Sequence, residues 1–283
     1  MTGNHNDADG GSDKRTIDRR SVLKGAATGS AALTGAAAFS GTASAGSCLE
    51  LVASDAPTDF PVVTEYGNEY GAIPEGPNEL VVFVHGWQAE LGGDAWGQSY
   101  TTQMALEAAG FGGEVMGFKY WANNFWWPAA KDDAEDAGGA LAAWLQSYMN
   151  DYPGTTVRLV AHSLGSRASL KALDELQADG DSVTSLSLLG AAVDADSVTG
   201  GGTWEDAVRN GADDVHNFYS NADGILEYIY SIGEFGDEAL GEESADGSTP
   251  GNVGETDVTD DIDDHCEYFQ PDTGCIDDVV AEF

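Results

Sequence analysis

Residues 155–178 read TTVRLVAHSLGSRASLKALDELQA and hold two patterns joined without a spacer. Thr155 to Ala161 is apolar and partly β-branched, the composition of a strand buried on both faces. From about Leu164 to Ala178, Ala168, Ala172, Leu173 and Leu176 recur at helical spacing. Between them lies only Ala161-His162-Ser163-Leu164-Gly165. A strand-to-helix turn this tight forces its middle residue into a strained backbone, and small residues two places before and after it avoid clashes. Ala161 and Gly165 supply them. Ser163 is then expected to project at the carboxyl edge of a sheet, near the positive end of the following helix. The Leu164 N–H points at any negative charge that develops there.

The alternation continues on both sides. Glu79 to His85, Glu114 to Tyr120, Val183 to Leu189 and Val215 to Ser220 read as further strands. Helices are expected over Trp96 to Ala109, Ala129 to Met149, Trp204 to Arg209 and part of Ile225 to Leu240. Pro153-Gly154 closes the long one. Phe60, Val62 and Val63 suggest an antiparallel edge strand, whereas the acidic, Gly-rich residues 241–264 read as a loop and Gly200-Gly201-Gly202 as a flexible turn. The pattern predicts one α/β domain with a mostly parallel central sheet and helices on both faces. No internal repeat or domain linker interrupts it.

The pentapeptide in this setting resembles the nucleophile elbow of the α/β-hydrolase superfamily, especially its lipases and esterases. The resemblance covers roughly residues 79–270. Many members carry Gly where Ala161 stands. Val84-His85-Gly86-Trp87, after the first strong strand, is similar to the family's His-Gly dipeptide. By that resemblance the backbone N–H groups of Trp87 and Leu164 form the oxyanion hole, and His85 is structural.

A serine nucleophile needs a histidine to take its proton and a carboxylate to orient that histidine. In this superfamily the chain order is serine, acid, histidine. His85 and His162 precede Ser163, and His216 falls inside an expected strand. His265 remains, in Asp263-Asp264-His265-Cys266-Glu267-Tyr268-Phe269, which resembles the family's terminal histidine segment. Two carboxylates follow strands on the same edge. They are Asp223, after Asn217-Phe218-Tyr219-Ser220-Asn221-Ala222, and Asp194, after Ala191-Ala192-Val193. The family's usual placement favours Asp223.

Loops after parallel strands share one edge of a sheet, where ligands bind. Trp87, Asn123, Asn124, Phe125, Trp126 and Trp127 are therefore expected near Ser163. Phe125, Trp126 and Trp127 read equally well as an acyl-chain pocket and as packing under a helix. Asp257 to Asp264 is rich in aspartate but lacks the spacing of a calcium loop, and a solvated acidic surface accounts for it. No phosphate loop, zinc cluster or dinucleotide fingerprint is present, and the resembling chemistry requires no cofactor.

The charge balance bounds the partners. The 283 residues carry 11 Lys plus Arg against 49 Asp plus Glu, a formal charge of −38. Such a chain offers no basic face to nucleic acid or to an anionic membrane. Hydrophobic residues still make up 42%, enough for a sizeable core. The acids are spread along the whole chain rather than gathered in a tail, and the composition resembles that of proteins from extreme halophiles. At about 1 M salt the screening length falls to about 3 Å, which removes most of the self-repulsion.

The N-terminus is expected to be a removable leader. Asp18-Arg19-Arg20-Ser21-Val22-Leu23-Lys24, an Ala/Gly-rich run to Phe39 and Ala43-Ser44-Ala45 resemble a twin-arginine export signal, with no transmembrane span in the mature chain. Residues 1–45 form the leader in this reading and 46–283 the single hydrolase domain, left with 6 basic and 45 acidic residues. Outside the cell, Cys266 and Cys275, which flank an eight-residue loop, are expected to form a disulfide. Cys48 is left free, paired elsewhere, or lipidated at the degenerate lipobox Ala45-Gly46-Ser47-Cys48.

The expectation is therefore a secreted, salt-adapted serine hydrolase acting on small esters or lipids through an acyl-enzyme on Ser163, with His265 as base and Asp223 as its orienting acid. Acyl transfer or amide hydrolysis on the same residues is one rival. A non-catalytic envelope protein on a hydrolase scaffold is the other.

Overall fold

The computed structural model describes Met1 and residues 52–53, 56–87, 95–234 and 237–283. Apart from Met1 these belong to one compact unit, Thr42–Phe283. The expected leader, its cleavage site and Cys48 lie outside the described residues.

Among the described residues eight strands build one sheet. They are β1 (Val62–Thr64), β2 (Glu69–Tyr70), β3 (Glu79–Val84), β4 (Glu114–Lys119), β5 (Thr156–His162), β6 (Val183–Leu189), β7 (Ala212–Tyr219) and β8 (Val253–Asp257). Their spatial order is β2-β1-β4-β3-β5-β6-β7-β8. All neighbours run parallel except β1 and β2. Among the described residues six helices follow the strands: α1 (Ala95–Ala108), α2 (Trp127–Asp151), α3 (Gly165–Asp179), α4 (Glu205–Asn210), α5 (Gly224–Gly233) and α6 (Ile276–Ala281). This is the α/β-hydrolase architecture.

The core has two layers because a parallel sheet must be covered on both faces. Leu141 and Leu145 of α2, Ala168 and Leu173 of α3, Val208 of α4 and Leu226 of α5 pack on one face against Leu80, Val82, Leu159 and Leu186. Ala105 and Leu106 of α1, with Ile276 and Val279 of α6, cover the other against Val81, Phe83, Val160 and Phe218. Successive residues of β3 thus serve opposite layers, as the two-residue period of a strand requires.

Three sequence expectations are corrected. The edge strand at Val62–Thr64 pairs parallel to β4, and the antiparallel edge is β2, two exposed residues too short to leave a periodic signal. The segment 241–264 contains β8, whose V-G-E-T-D is half-charged because it closes the sheet and is mostly half-buried or exposed. The helix α6 went unpredicted because β-branched Ile276, Val279 and Val280 make half of its six residues, a composition that favours strand over helix.

Register places the functional edge. Val84 lies opposite Ala161, Ala161 opposite Leu188, and Leu189 opposite Phe218. The chain therefore leaves β3, β5, β6 and β7 side by side, and the loops that follow these four strands emerge together.

Candidate active site

Ser163 stands where β5 turns into α3, with φ +55°, the only non-glycine residue at positive φ among the described residues. A side chain there costs on the order of 1–3 kcal/mol unless the surroundings enforce it. They do. The Ser163 N–H donates to Leu189 O (3.0 Å), and Ser163 O accepts from the N–H groups of Ser166 (3.0 Å) and Ala192 (3.2 Å). Gly165 is required because a Cβ on it would meet Val84 O at 2.3 Å and His85 O at 2.6 Å. Ala161, wholly buried, fills the other small position. The Leu164 N–H donates to no backbone carbonyl among the described residues.

The loop after β3 presses against this turn. A Cβ on Gly86 would lie 2.8 Å from Ser163 Cβ and 3.1 Å from His162 Nδ1, so only glycine lets Trp87 follow so closely. His85 is buried and hydrogen-bonded on both ring nitrogens. Its Nε2 accepts the Tyr120 N–H (3.3 Å), its Nδ1 then donates to Gly86 O (2.9 Å), and its ring stacks on Tyr120 at 4.5 Å. Tyr120 Oη returns a hydrogen bond to His85 O (3.1 Å). The Trp87 indole donates to Asn124 O (2.7 Å) and packs edge-on to Trp127 at 5.4 Å. These contacts lock the loop onto the start of α2.

Asp223 and His265, 42 residues apart in sequence, meet at 2.6 Å between Asp223 Oδ2 and His265 Nδ1. The carboxylate can only accept, so Nδ1 carries the proton and Nε2 is left with its lone pair. Asp223 is 1% exposed yet satisfied, because it also caps α5: its Oδ1 accepts from the N–H groups of Ile225 (3.2 Å) and Leu226 (3.1 Å). One residue thus supplies a helix cap and a histidine partner. Asp194, the other sequence candidate, goes elsewhere. It bridges to Ala239 and lines a cleft with Asp196, Asp237, Glu238 and Asp246, where burial raises its pKa.

The histidine loop is held by its own acids. Glu267 Oε2 accepts from the N–H groups of Asp263 (3.0 Å) and Asp264 (3.1 Å), and Asp264 Oδ1 accepts from Cys266 N–H (2.9 Å). Ser220 Oγ ties the Asp223 loop to the start of that segment through Ile262 O (2.7 Å). The His265 ring lies 4.7 Å from that of His162, the residue before Ser163. Ser163 Oγ itself makes no hydrogen bond among the described residues. Catalytic hydrogen bonds are often open in unliganded sites.

Two further expectations are corrected. Phe125, Trp126 and Trp127 do not share one environment. Phe125 and Trp126 are 63% and 69% exposed, while Trp127 is buried in the first turn of α2 and donates to Glu234 (2.5 Å), which also pairs with Lys131. Helical geometry separates Trp127 from the two residues before it. The Cys266–Cys275 bridge does not form either. Cys275 carries a free thiol, buried in the lower core layer beside Ile276 and Val279, with Sγ directed at Tyr268 O (3.6 Å). Burial pushes that thiol's pKa far up, so it is a packing group.

Sequence reasoning missed Gly190 and Tyr268. Gly190 sits at φ +52°, and a Cβ there would come within 2.8 Å of the Tyr268 ring and 3.3 Å of Asp223 Oδ2. The signal was a glycine directly after a strand. Tyr268 Oη donates to Gly241 O (3.3 Å), so the ring backs the acid from below the histidine loop.

A sequence profile described as "Protein of unknown function (DUF726)" matches residues 105–279. The chain belongs to the DUF726 family. The matched span takes in Ser163, Asp223 and His265 and leaves out Trp87. No curated protein matches this DUF726 chain. Similar solved structures include lipase B of Aspergillus fumigatus, at 13% identity and TM-score 0.39, covering 65% of this chain and 45% of the lipase. Carboxyl esterase 2 of Tuber melanosporum has 12% identity and TM-score 0.46, with 81% and 87% covered. The catalytic core of Trichoderma reesei acetyl xylan esterase has 14% identity and TM-score 0.40, with 72% and 99% covered. This DUF726 chain thus spans less than half of the length of lipase B, and the likeness is one of fold.

Proposed function

We propose that this DUF726 protein is a serine hydrolase that cleaves carboxylic esters through an acyl-enzyme on Ser163. The observation that carries the reading is the shared sheet edge. A serine strained at φ +55° follows His162, whose ring lies 4.7 Å from that of His265, and His265 Nδ1 lies 2.6 Å from a buried carboxylate. Strain at one position and a buried polar pair beside it are costly features, and they converge on one chemistry.

In this mechanism Ser163 Oγ attacks the acyl carbon while His265 Nε2 takes its proton. Asp223 stays ionised, holds the imidazole in the Nδ1–H form and stabilises the imidazolium. The carbonyl oxygen becomes an oxyanion facing the Leu164 and Trp87 N–H groups, near the positive end of α3. The intermediate collapses as His265 returns the proton to the departing alkoxide. Water then attacks the acyl-enzyme, deprotonated by His265; the Ser163 Oγ–acyl bond breaks as His265 returns that proton to Oγ, and the acid product leaves.

The protein is also read as exported and adapted to high salt. The Arg19-Arg20 leader pattern and the formal charge of −38 support that.

Reaction with a fluorophosphonate tests the proposal independently of substrate choice. Peptide mapping is expected to place the label on Ser163 in the wild type, with labelling lost in His265→Ala. A folded wild-type protein that stays unlabelled, or a label on another serine, contradicts it.

A further inference from the structure

His162 is buried, with 3% exposure, at the last position of β5, and its Nε2 lies 2.7 Å from His265 O. A carbonyl oxygen only accepts, so Nε2 carries the proton. Nδ1 then holds a lone pair that meets no donor among the described residues. It lies against Gly86, where even a Cβ would come within 3.1 Å. The ring is further fixed by Phe269, edge-on at 4.9 Å. One side chain thus joins the residue before Ser163 to the main chain of His265, 103 positions along.

We infer that His162 is a positioning residue that sets where the His265 imidazole stands relative to Ser163, by fixing the His265 carbonyl from the nucleophile's own turn. This rests on the ester-hydrolase reading and adds to it a part the motif does not require. The Asp223 bond fixes the tautomer and one rotation of the imidazole. Other bonds hold the flanks of the loop that carries the ring, Ser220 on Ile262 O and Tyr268 on Gly241 O, while Glu267 on Asp263 and Asp264 and Asp264 on Cys266 are local, so none of these holds the His265 carbonyl itself. The His162 bond joins the His265 carbonyl to β5, the strand that leads into Ser163. A misplacement of about 1 Å in a proton-transfer partner can cost on the order of 10²-fold in rate.

The role also requires His162 to stay neutral throughout the cycle. Burial, then the neighbouring His265, hold its pKa well below the ordinary histidine value, opposed only in part by the bond to His265 O. A charged ring here would stand 4.7 Å from the imidazolium formed during acylation and oppose it. Neutral, His162 neither competes for the Ser163 proton nor repels its carrier.

Two amide variants separate positioning from packing. The amide nitrogen of Gln superimposes on the histidine Nε2, so His162→Gln keeps the donor to His265 O. In His162→Asn the nitrogen falls near the Nδ1 position and cannot reach. The readouts are the rate constant for fluorophosphonate labelling, kcat and KM on a p-nitrophenyl ester, and the downfield proton resonance of His265 Nδ1–H. We expect Gln to stay within about 3-fold of wild type in kcat. Asn is expected to lose about 10–100-fold in kcat with KM nearly unchanged, and to shift or broaden the His265 resonance. Gln and Asn behaving alike, both active or both impaired, overturns the inference. A KM effect in Asn with kcat intact overturns it too. If the wild type neither labels nor hydrolyses, the ester-hydrolase reading fails. The resonance then judges the positioning claim: it should be preserved in Gln and perturbed in Asn.

Discussion

Asp223 uses both of its oxygens, one on the α5 backbone and one on His265. Asp223→Asn therefore separates its two tasks. The amide still caps the helix through its oxygen, so folding is expected to be little changed. The partner offered to His265 is then a donor or a weaker acceptor, and kcat is expected to fall by about 10⁴-fold with the protein folded. Steady-state kinetics with circular dichroism on the same sample checks this, and a loss below about 10-fold would refute the assigned role.

Glu242 makes a second residue-level case. It is half-buried among Glu227, Glu243, Asp223 and Glu238, and burial followed by those like charges raises its carboxyl to about 7. The folded protein thus holds a proton there that the unfolded chain releases at lower pH. Its contribution to stability is full below the unfolded carboxylate pKa and is lost as pH rises through about 7. Glu242→Gln escapes the loss. Partial exposure discounts the effect to on the order of 1 kcal/mol at low ionic strength. Denaturant titrations should show no difference from wild type near pH 4 and a gain for the variant near pH 8. A gain of equal size at both values would contradict the assignment.

At the scale of elements, two adjacent glycines of α2 report on its packing. A Cβ on Gly138 would meet Ala168 O of α3 at 2.5 Å and Lys171 Cβ at 2.6 Å, so the helices approach closely there. On Gly139 a Cβ meets nothing within 4 Å. Helix propensity favours Ala over Gly by about 1 kcal/mol at either position. Gly139→Ala should gain about that much. In Gly138→Ala the overlap with backbone outweighs propensity, and a net loss of about 1–3 kcal/mol is expected. Thermal unfolding of the pair tests this, and equal shifts would deny the close approach.

The same scale shows what was legible beforehand. Strands β3 to β7 and helices α1 to α4 announce themselves because each buries a full face, and burial imposes periodicity. The strand β8 escapes because it is short and charged at a sheet edge, and the helix α6 because β-branched residues make half of it. At the site, the Ser163 turn was legible because its strain dictates small neighbours. The Asp223–His265 pairing was read from chain order and resemblance. The His162 bond and the Gly190–Tyr268 contact were not, since both depend on loops that only the folded sheet brings together. The cysteine pairing failed because spacing alone cannot say that Cys275 faces inward.

Across the whole molecule, 49 acidic residues against 11 basic ones make self-repulsion the largest electrostatic feature. The screening length shrinks from about 10 Å at 0.1 M salt to about 3 Å at 1 M. The melting temperature is therefore expected to climb steadily as KCl is raised from 0.1 M into the multimolar range. A melting temperature indifferent to KCl would show that the acids are not in mutual opposition in the folded state.

Hydrolysis of a series of p-nitrophenyl esters at multimolar KCl, wild type beside Ser163→Ala, decides the chemistry. We expect turnover by the wild type and a loss of about 10⁶-fold in kcat in the folded variant, with the acyl-length profile defining the substrate class. Turnover that survives in Ser163→Ala, or a folded wild type that hydrolyses none of the series, would contradict an ester hydrolase built on Ser163.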